Sequence, residues 1–180
     1  MAEPGPPVRR AAFALGSNLG DRAATLQRAV LALAATDGLA VVAVSPVYQT
    51  DPVGGPADQP AYLNAVLVTD TVLSPRALLA LAHVVEHAAG RERLVRWGPR
   101  TLDVDLLVVG DLTSDDPTLT LPHPRAHERA FVLVPWADVD PGCAVPGRGT
   151  VAGLLAALPP RERAGVRRTV PALAAPGSGR

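Results

Sequence analysis

The sequence predicts an α+β domain: a ferredoxin-like βαββαβ core with additional C-terminal helices, arranged as a three-layer α/β/α sandwich. Three observations predict it. Apolar runs with a repeat of two alternate with apolar runs of a repeat near 3.6, in the order strand, helix, strand, strand, helix, strand. Capping signals open both helical runs, Asp21 in the first and Ser74-Pro75 in the second. Two further helical runs, 129 to 138 and 150 to 158, follow the last strand and are available to cover the second sheet face.

Each element has its own signal. Residues 1 to 9 are rich in Pro, Gly and Arg without periodicity, and a mobile N-terminal tail is expected there. Arg10 to Leu15 reads as the first strand. Gly16-Ser17-Asn18 turns it into a helix that Asp21 caps, with Leu26, Val30 and Leu33 on one face and Gly38 at its end. The β-branched run Leu39 to Val47 is a second strand, Asp51 to Pro60 a Pro- and Gly-containing loop, and Tyr62 to Thr69 a third strand. After Ser74-Pro75, Leu78, Ala82 and Val85 recur at core spacing until Gly90. A second loop runs from Arg91 to Arg100, and Leu102 to Val109 is a fourth strand in which Leu102, Val104 and Leu106 alternate with Asp103 and Asp105. Residues 164 to 180 again lack periodicity, so a single domain over 10 to 163 between two tails is expected.

Composition narrows the function. A chain of 180 residues with 48% hydrophobic and 19% charged residues is the size of one globular domain. No apolar run approaches the roughly 20 residues that cross a bilayer, and the N-terminus lacks an apolar stretch, which leads to the expectation of a cytoplasmic protein. The formal net charge is zero, so neither nucleic acid nor membrane is expected as a partner, and a monomer is expected. Cys143 is alone and has no internal disulfide partner. All 17 basic residues are Arg. A phosphate-binding P-loop Lys and a Schiff-base Lys are thereby excluded, and any phosphate clamp must be built from guanidinium forks.

The stretch richest in chemistry is Arg91-Glu92-Arg93-Leu94-Val95-Arg96-Trp97-Gly98-Pro99-Arg100-Thr101-Leu102-Asp103-Val104-Asp105. Side chains two apart on a strand share a face at a spacing of about 7 Å, so Asp103 and Asp105 can share one or two hard cations such as Mg²⁺. Mg²⁺ takes a few carboxylates and completes its shell with water and substrate phosphates. The upstream arginines suit the phosphate chain and the charge that develops as a phosphoryl bond loosens. Alone, Asp-x-Asp on a strand is more often a solvated sheet face, and an Arg-rich loop is usually solvated too. Their adjacency is what favours a cation and an anion bound together.

Four strings carry a resemblance: Leu15-Gly16-Ser17-Asn18-Leu19-Gly20-Asp21; Gln59-Pro60-Ala61-Tyr62-Leu63-Asn64-Ala65; Arg96-Trp97-Gly98-Pro99-Arg100-Thr101-Leu102-Asp103-Val104-Asp105; and Leu121-Pro122-His123 with Arg129 and Phe131. Over roughly residues 10 to 160 the chain resembles the 6-hydroxymethyl-7,8-dihydropterin pyrophosphokinase family of folate biosynthesis. The resemblance implies transfer of pyrophosphate from ATP to the pterin, giving the pterin diphosphate and AMP. It implies that Asp103 and Asp105 bind two Mg²⁺ ions on ATP, that Arg91 and Arg100 contact the phosphate chain, and that Trp97 belongs to a lid. Glu86, Arg93, Trp97, Arg100, Leu106, Thr120, His123 and Arg129 fall on the nucleotide side. Tyr62 and Phe131 correspond to aromatics that sandwich the pterin ring, Asn64 to the side chain that bonds its edge, and Thr50, Asp51, Val53 and Gly54 to the neighbouring loop. Departures from the family pattern are Leu94 where a basic residue can occur, Pro124 in place of an aromatic, and Thr118 where an Arg can occur.

Two rival patterns are present. His83-Val84-Val85-Glu86-His87 matches the H-x-x-E-H of inverted zinc peptidases, although no third acidic ligand follows on a later helix. Gly147-Arg148-Gly149-Thr150-Val151-Ala152 resembles a dinucleotide fingerprint but follows a Pro-containing loop rather than a strand. A pterin- or nucleotide-binding module without catalysis is the alternative from another class, and the retained acid pair argues against it.

Overall fold

The computed structural model describes residues 5–52, 59–90, 101–169 and 172–174. Strand β1 (Arg9–Ser17) leads through a turn to helix α1 (Arg22–Ala34), where the Asp21 carboxylate accepts the Ala24 N–H and Leu26, Val30 and Leu33 are buried, as their spacing predicts. Gly38, at φ +80°, lies in the left-handed turn that returns the chain to the sheet.

The second strand differs from expectation. The strand expected over 39 to 47 stops at Val44 as β2 (Leu39–Val44), and a separate strand β3 (Tyr48–Thr50) follows it. Pro46 has no N–H to give to a ladder, and the Ser45 hydroxyl takes the Val66 N–H at 2.9 Å, replacing a main-chain acceptor. Both pieces pair with the same long strand, β4 (Tyr62–Thr71): β2 along residues 67–71 and β3 along residues 62–64. Helix α2 (Pro75–Ala88) opens on the Ser74 hydroxyl, which accepts the Ala77 N–H, and leads to β5 (Asp103–Val109) beyond the residues left undescribed.

The main sheet runs β5-β1-β4 and then β2 and β3 side by side on the far edge of β4, antiparallel throughout. With β2 and β3 counted as one interrupted strand, this is the ferredoxin-like order. On one face α1 and α2 bury Phe13, Leu15, Leu67, Val104 and Leu106. On the other, α3 (Ala130–Val139) and α4 (Val151–Ala157) bury Ala12, Val66, Val68, Val108 and Trp136. The two C-terminal helices predicted from periodicity thus form the third layer.

Several short elements carry no sequence signal of their own: the hairpin β6 (Ser114–Asp116) and β7 (Leu119–Leu121), the two-residue strands β8 (Ala144–Val145) and β9 (Gly149–Thr150), and α5 (Pro160–Ala164). Residues 164 onward also depart from the expected tail. Strand β10 (Arg167–Arg168) pairs with β3, and Ala174 bonds to the Gln27 side chain on α1. Among the described residues no helix is long and apolar enough to cross a membrane.

Candidate active site

The register of the sheet brings five of the described candidate residues onto one face. Tyr48, Asn64, Gly16 and Asp103 form one cross-strand row, with Thr50 paired to Tyr62 on one side of it and Asp105 paired to Ala14 on the other. Partners in register share a face, and so do residues two apart along a strand. Thr50, Tyr62, Asn64, Asp103 and Asp105 therefore look toward the layer that α3 occupies. Asn64 and Asp103 are separated by β1 alone, roughly 10 Å at ordinary strand spacing.

What lies between them is Gly16. A Cβ there would meet Asn64 Oδ1 at 3.3 Å and Tyr62 Cδ1 at 4.0 Å, so the bare backbone leaves a flat floor between amide and acids. Asn64 is buried, and its amide donates to Thr50 Oγ1 at 2.8 Å. That bond fixes which way the amide points. Phe131, half-buried in the first turn of α3, has the Arg129 guanidinium 5.6 Å from its ring centre.

The first two motif strings also meet in space. Asn18 Nδ2 donates to the Pro60 carbonyl at 3.3 Å, and the Arg22 guanidinium donates to the carbonyl of Ala61. The turn after β1 therefore anchors the end of the 51 to 60 loop just before Tyr62.

At the other end of the face the acid pair stands on an edge strand, and the free edge of β5 is used rather than covered. The buried carboxylate of Glu86 on α2 accepts the Val104 N–H at 2.9 Å, and the main-chain N–H of His123 donates to the Leu107 carbonyl at 2.8 Å. These bonds hold β5 where a sheet neighbour would otherwise stand. Beside them opens a cleft of about 280 Å³, whose walls include Glu86, Asp103, Asp105, Leu106, Thr120 and His123. The Thr120 hydroxyl donates to the Asp116 carbonyl at 3.1 Å, which ties it into the β6–β7 hairpin.

Asp105 Oδ2 lies 3.8 Å from His123 Nε2 and 3.9 Å from Arg129 Nη1. Burial, and then the Arg129 charge, push the His123 imidazole down to about 4, with Asp103 opposing. His123 is thus neutral near pH 7, and its approach to Asp105 is not an ion pair. Arg129 brings a positive charge beside Asp105, and although burial lowers its pKa it remains a cation.

Asp103 and Asp105 offer only hard oxygen donors, and no group of three His, Cys, Asp or Glu side chains gathers to hold a metal among the described residues. Two carboxylates on one face suit Mg²⁺, which keeps several waters and shares phosphate oxygens, better than Zn²⁺. The peptidase pattern on α2 is divided by the fold: Glu86 is buried and turned to Val104, whereas His83 and His87 are exposed. Gly147 and Gly149 belong to the turn and strand between β8 and α4.

Arg91, Arg93, Trp97 and Arg100, together with Val53 and Gly54, lie outside the described residues. Asp51 is described and exposed, with one carboxylate oxygen 3.3 Å from Arg167. Sequence reading passed over Gly16 as a floor, Tyr48 in the row of Asn64, and Arg167 beside Asp51. Gly16 stands in a motif string, but its place as a floor depends on strand pairing, as do the other two.

The chain is similar to known proteins over most of its length. The 2-amino-4-hydroxy-6-hydroxymethyldihydropteridine pyrophosphokinase of Mycobacterium tuberculosis is 45% identical over 179 residues, 89% of each chain. That of Methylorubrum extorquens is 47% identical over 153 residues, 85% of this chain and 96% of the relative. A crystal structure of Plasmodium falciparum HPPK-DHPS, at 16% identity, shares the fold with a TM-score of 0.63 over 83% of this chain, which spans 43% of that longer one. Residues 12–141 match the family described as 7,8-dihydro-6-hydroxymethylpterin-pyrophosphokinase, and the chain belongs to that family.

Proposed function

We propose that this chain transfers the pyrophosphoryl group of ATP to the hydroxymethyl oxygen of 6-hydroxymethyl-7,8-dihydropterin, a step of folate biosynthesis, and releases AMP. Asp103 and Asp105 hold two Mg²⁺ ions in this reading. The observation that carries it is the single row Asn64–Gly16–Asp103, which sets an amide suited to a pterin edge one strand away from an acid pair suited to a metal-bound phosphate chain.

The hydroxymethyl oxygen attacks the β-phosphorus, the bond from that phosphorus to the α,β-bridging oxygen breaks, AMP leaves with that oxygen, and the hydroxyl proton passes to solvent. When bound, the divalent cations supply charge neutralisation along the phosphates. The rest of the work is positioning and electrostatics. Asn64, oriented by Thr50, reads the edge of the pterin, and Tyr62 and Phe131 supply flat apolar faces for its ring. Neutral His123, Thr120, Leu106 and Glu86 line the nucleotide cleft, and Arg129 adds positive charge beside the acids. Arg91, Arg93, Arg100 and Trp97 are assigned to the phosphates and lid from the sequence resemblance, as are Val53 and Gly54 to the pterin loop.

Purified protein with ATP, Mg²⁺ and the hydroxymethyl dihydropterin is expected to release AMP, and chromatography detecting none would sink the reading. In Asp103→Asn and Asp105→Asn, turnover is expected to fall by about 10² or more with the circular dichroism spectrum preserved. Unimpaired turnover in both variants would remove the acids from the metal site.

A further inference from the structure

The chain beyond residue 164, which composition assigns to a tail, is anchored at two points, one on strand β3 and one on helix α1. Strand β3 has three residues and only β4 beside it on its inner edge; a strand so short and so placed is weakly held. Its outer edge is closed by β10, in the register Arg167↔Gln49 and Arg168↔Tyr48, and the Thr169 N–H donates to the Val47 carbonyl at 2.8 Å. Arg167 reaches past the end of β3 to Asp51 at 3.3 Å. Main-chain and side-chain partners therefore run along β3 from the residue before it to the residue after it.

A second anchor lies on α1. The Gln27 side-chain amide accepts the Ala174 N–H at 2.7 Å and donates to the Ala174 carbonyl at 3.2 Å, closing the ring a neighbouring strand would make. Leu173 packs against the core under α1 and α2. The C-terminal residues in these contacts, 167–169 and 173–174, lie beyond residues 12–141, the part that matches the family.

We infer that the segments 166–169 and 172–174 act as a strap that positions Thr50 and Asp51, and so sets the affinity for the pterin while leaving the nucleotide side alone. The inference rests on the pterin assignment made above. Its physical link is the Asn64–Thr50 bond at 2.8 Å: a β3 free to shift along β4 carries Thr50 with it and releases the Asn64 amide. The Arg167–Asp51 pair is exposed on both sides and adds little stability, but it holds the first residue of the loop in one direction. In the order β10-β3-β4-β1-β5 the strap and the acid-bearing strand occupy opposite edges of the sheet, roughly 19 Å apart at ordinary strand spacing. The effect should therefore divide between the two substrates.

The test uses full-length protein. Thr169→Pro removes the N–H given to Val47, and it is expected to raise the KM for the pterin about fivefold while kcat and the KM for ATP stay within about twofold of wild type. Arg167→Ala, which loses only the contact with Asp51, reads the same division at about twofold, and Arg167→Lys restores it. The second pair keeps the question answerable where the proline variant folds poorly. Unchanged pterin KM in the Thr169 and Arg167 variants, with wild type active, overturns the strap alone. A rise in both KM values with a lower urea midpoint also overturns it, because that is the mark of general loosening. Wild-type protein that neither binds pterin nor releases AMP removes the pterin patch and the strap together.

Discussion

Asp103 and Asp105 share a face because side chains two apart on a strand point the same way. Asp105 meets His123 and Arg129 from positions 18 and 24 residues later in the chain, and burial there decides that the histidine is neutral. Tyr48 is a similar case, since its hydroxyl donates to Asp138, 90 residues away. Burial and that bond raise the Tyr48 hydroxyl to about 12 from its ordinary 10.0. The folded state therefore keeps the proton more tightly than the unfolded chain. The contribution is fully present below pH 10 and is lost as pH rises toward 12. Tyr48→Phe is expected to lower stability on the order of 1–2 kcal/mol at neutral pH, with the gap to wild type narrowing between pH 10 and 12. Urea titrations across that range check it, and a gap that widened would contradict the assigned shift.

At the scale of elements, local chemistry explains where the helices begin. The Ser74 side chain satisfies the Ala77 N–H and Pro75 stands at a position where no donor is needed, so α2 starts where its sequence says. Ser74→Ala is expected to cost about 1 kcal/mol, read as a lower urea midpoint with an unchanged slope. The inward turn of Glu86 at the other end of the same helix was not legible, since a charged residue near a helix end ordinarily points to water. It is buried where the edge of β5 offers the Val104 N–H, which no strand among the described residues accepts. The division of β2 from β3 was foreshadowed by Pro46, but only the length of β4 shows that both pieces find partners on one strand.

The whole molecule is two cores sharing one sheet. Leu33 on α1 and Leu133 on α3 are both fully buried, in different cores, and β1 and β4 supply side chains to both. Loosening one face therefore loosens the backbone that supports the other. Leu33→Ala and Leu133→Ala are each expected to destabilise by about 2–5 kcal/mol. Urea unfolding followed by fluorescence and by circular dichroism should remain one coincident transition in both variants. Separate transitions for the two probes would show that the layers unfold independently.

The amino-acid order by itself determined the succession of strands and helices, the caps, the face shared by Asp103 and Asp105, and the motif strings that mark the family. These are local or periodic properties, and periodicity survives without knowledge of what a segment touches. Only the tertiary structure decided that Gly16 forms the floor between Asn64 and Asp103, that Glu86 and His123 close the edge of β5, and that residues after 164 strap β3 instead of trailing as a tail. Each of these rests on pairing between distant segments, where the register of a sheet rather than any local preference selects the neighbour.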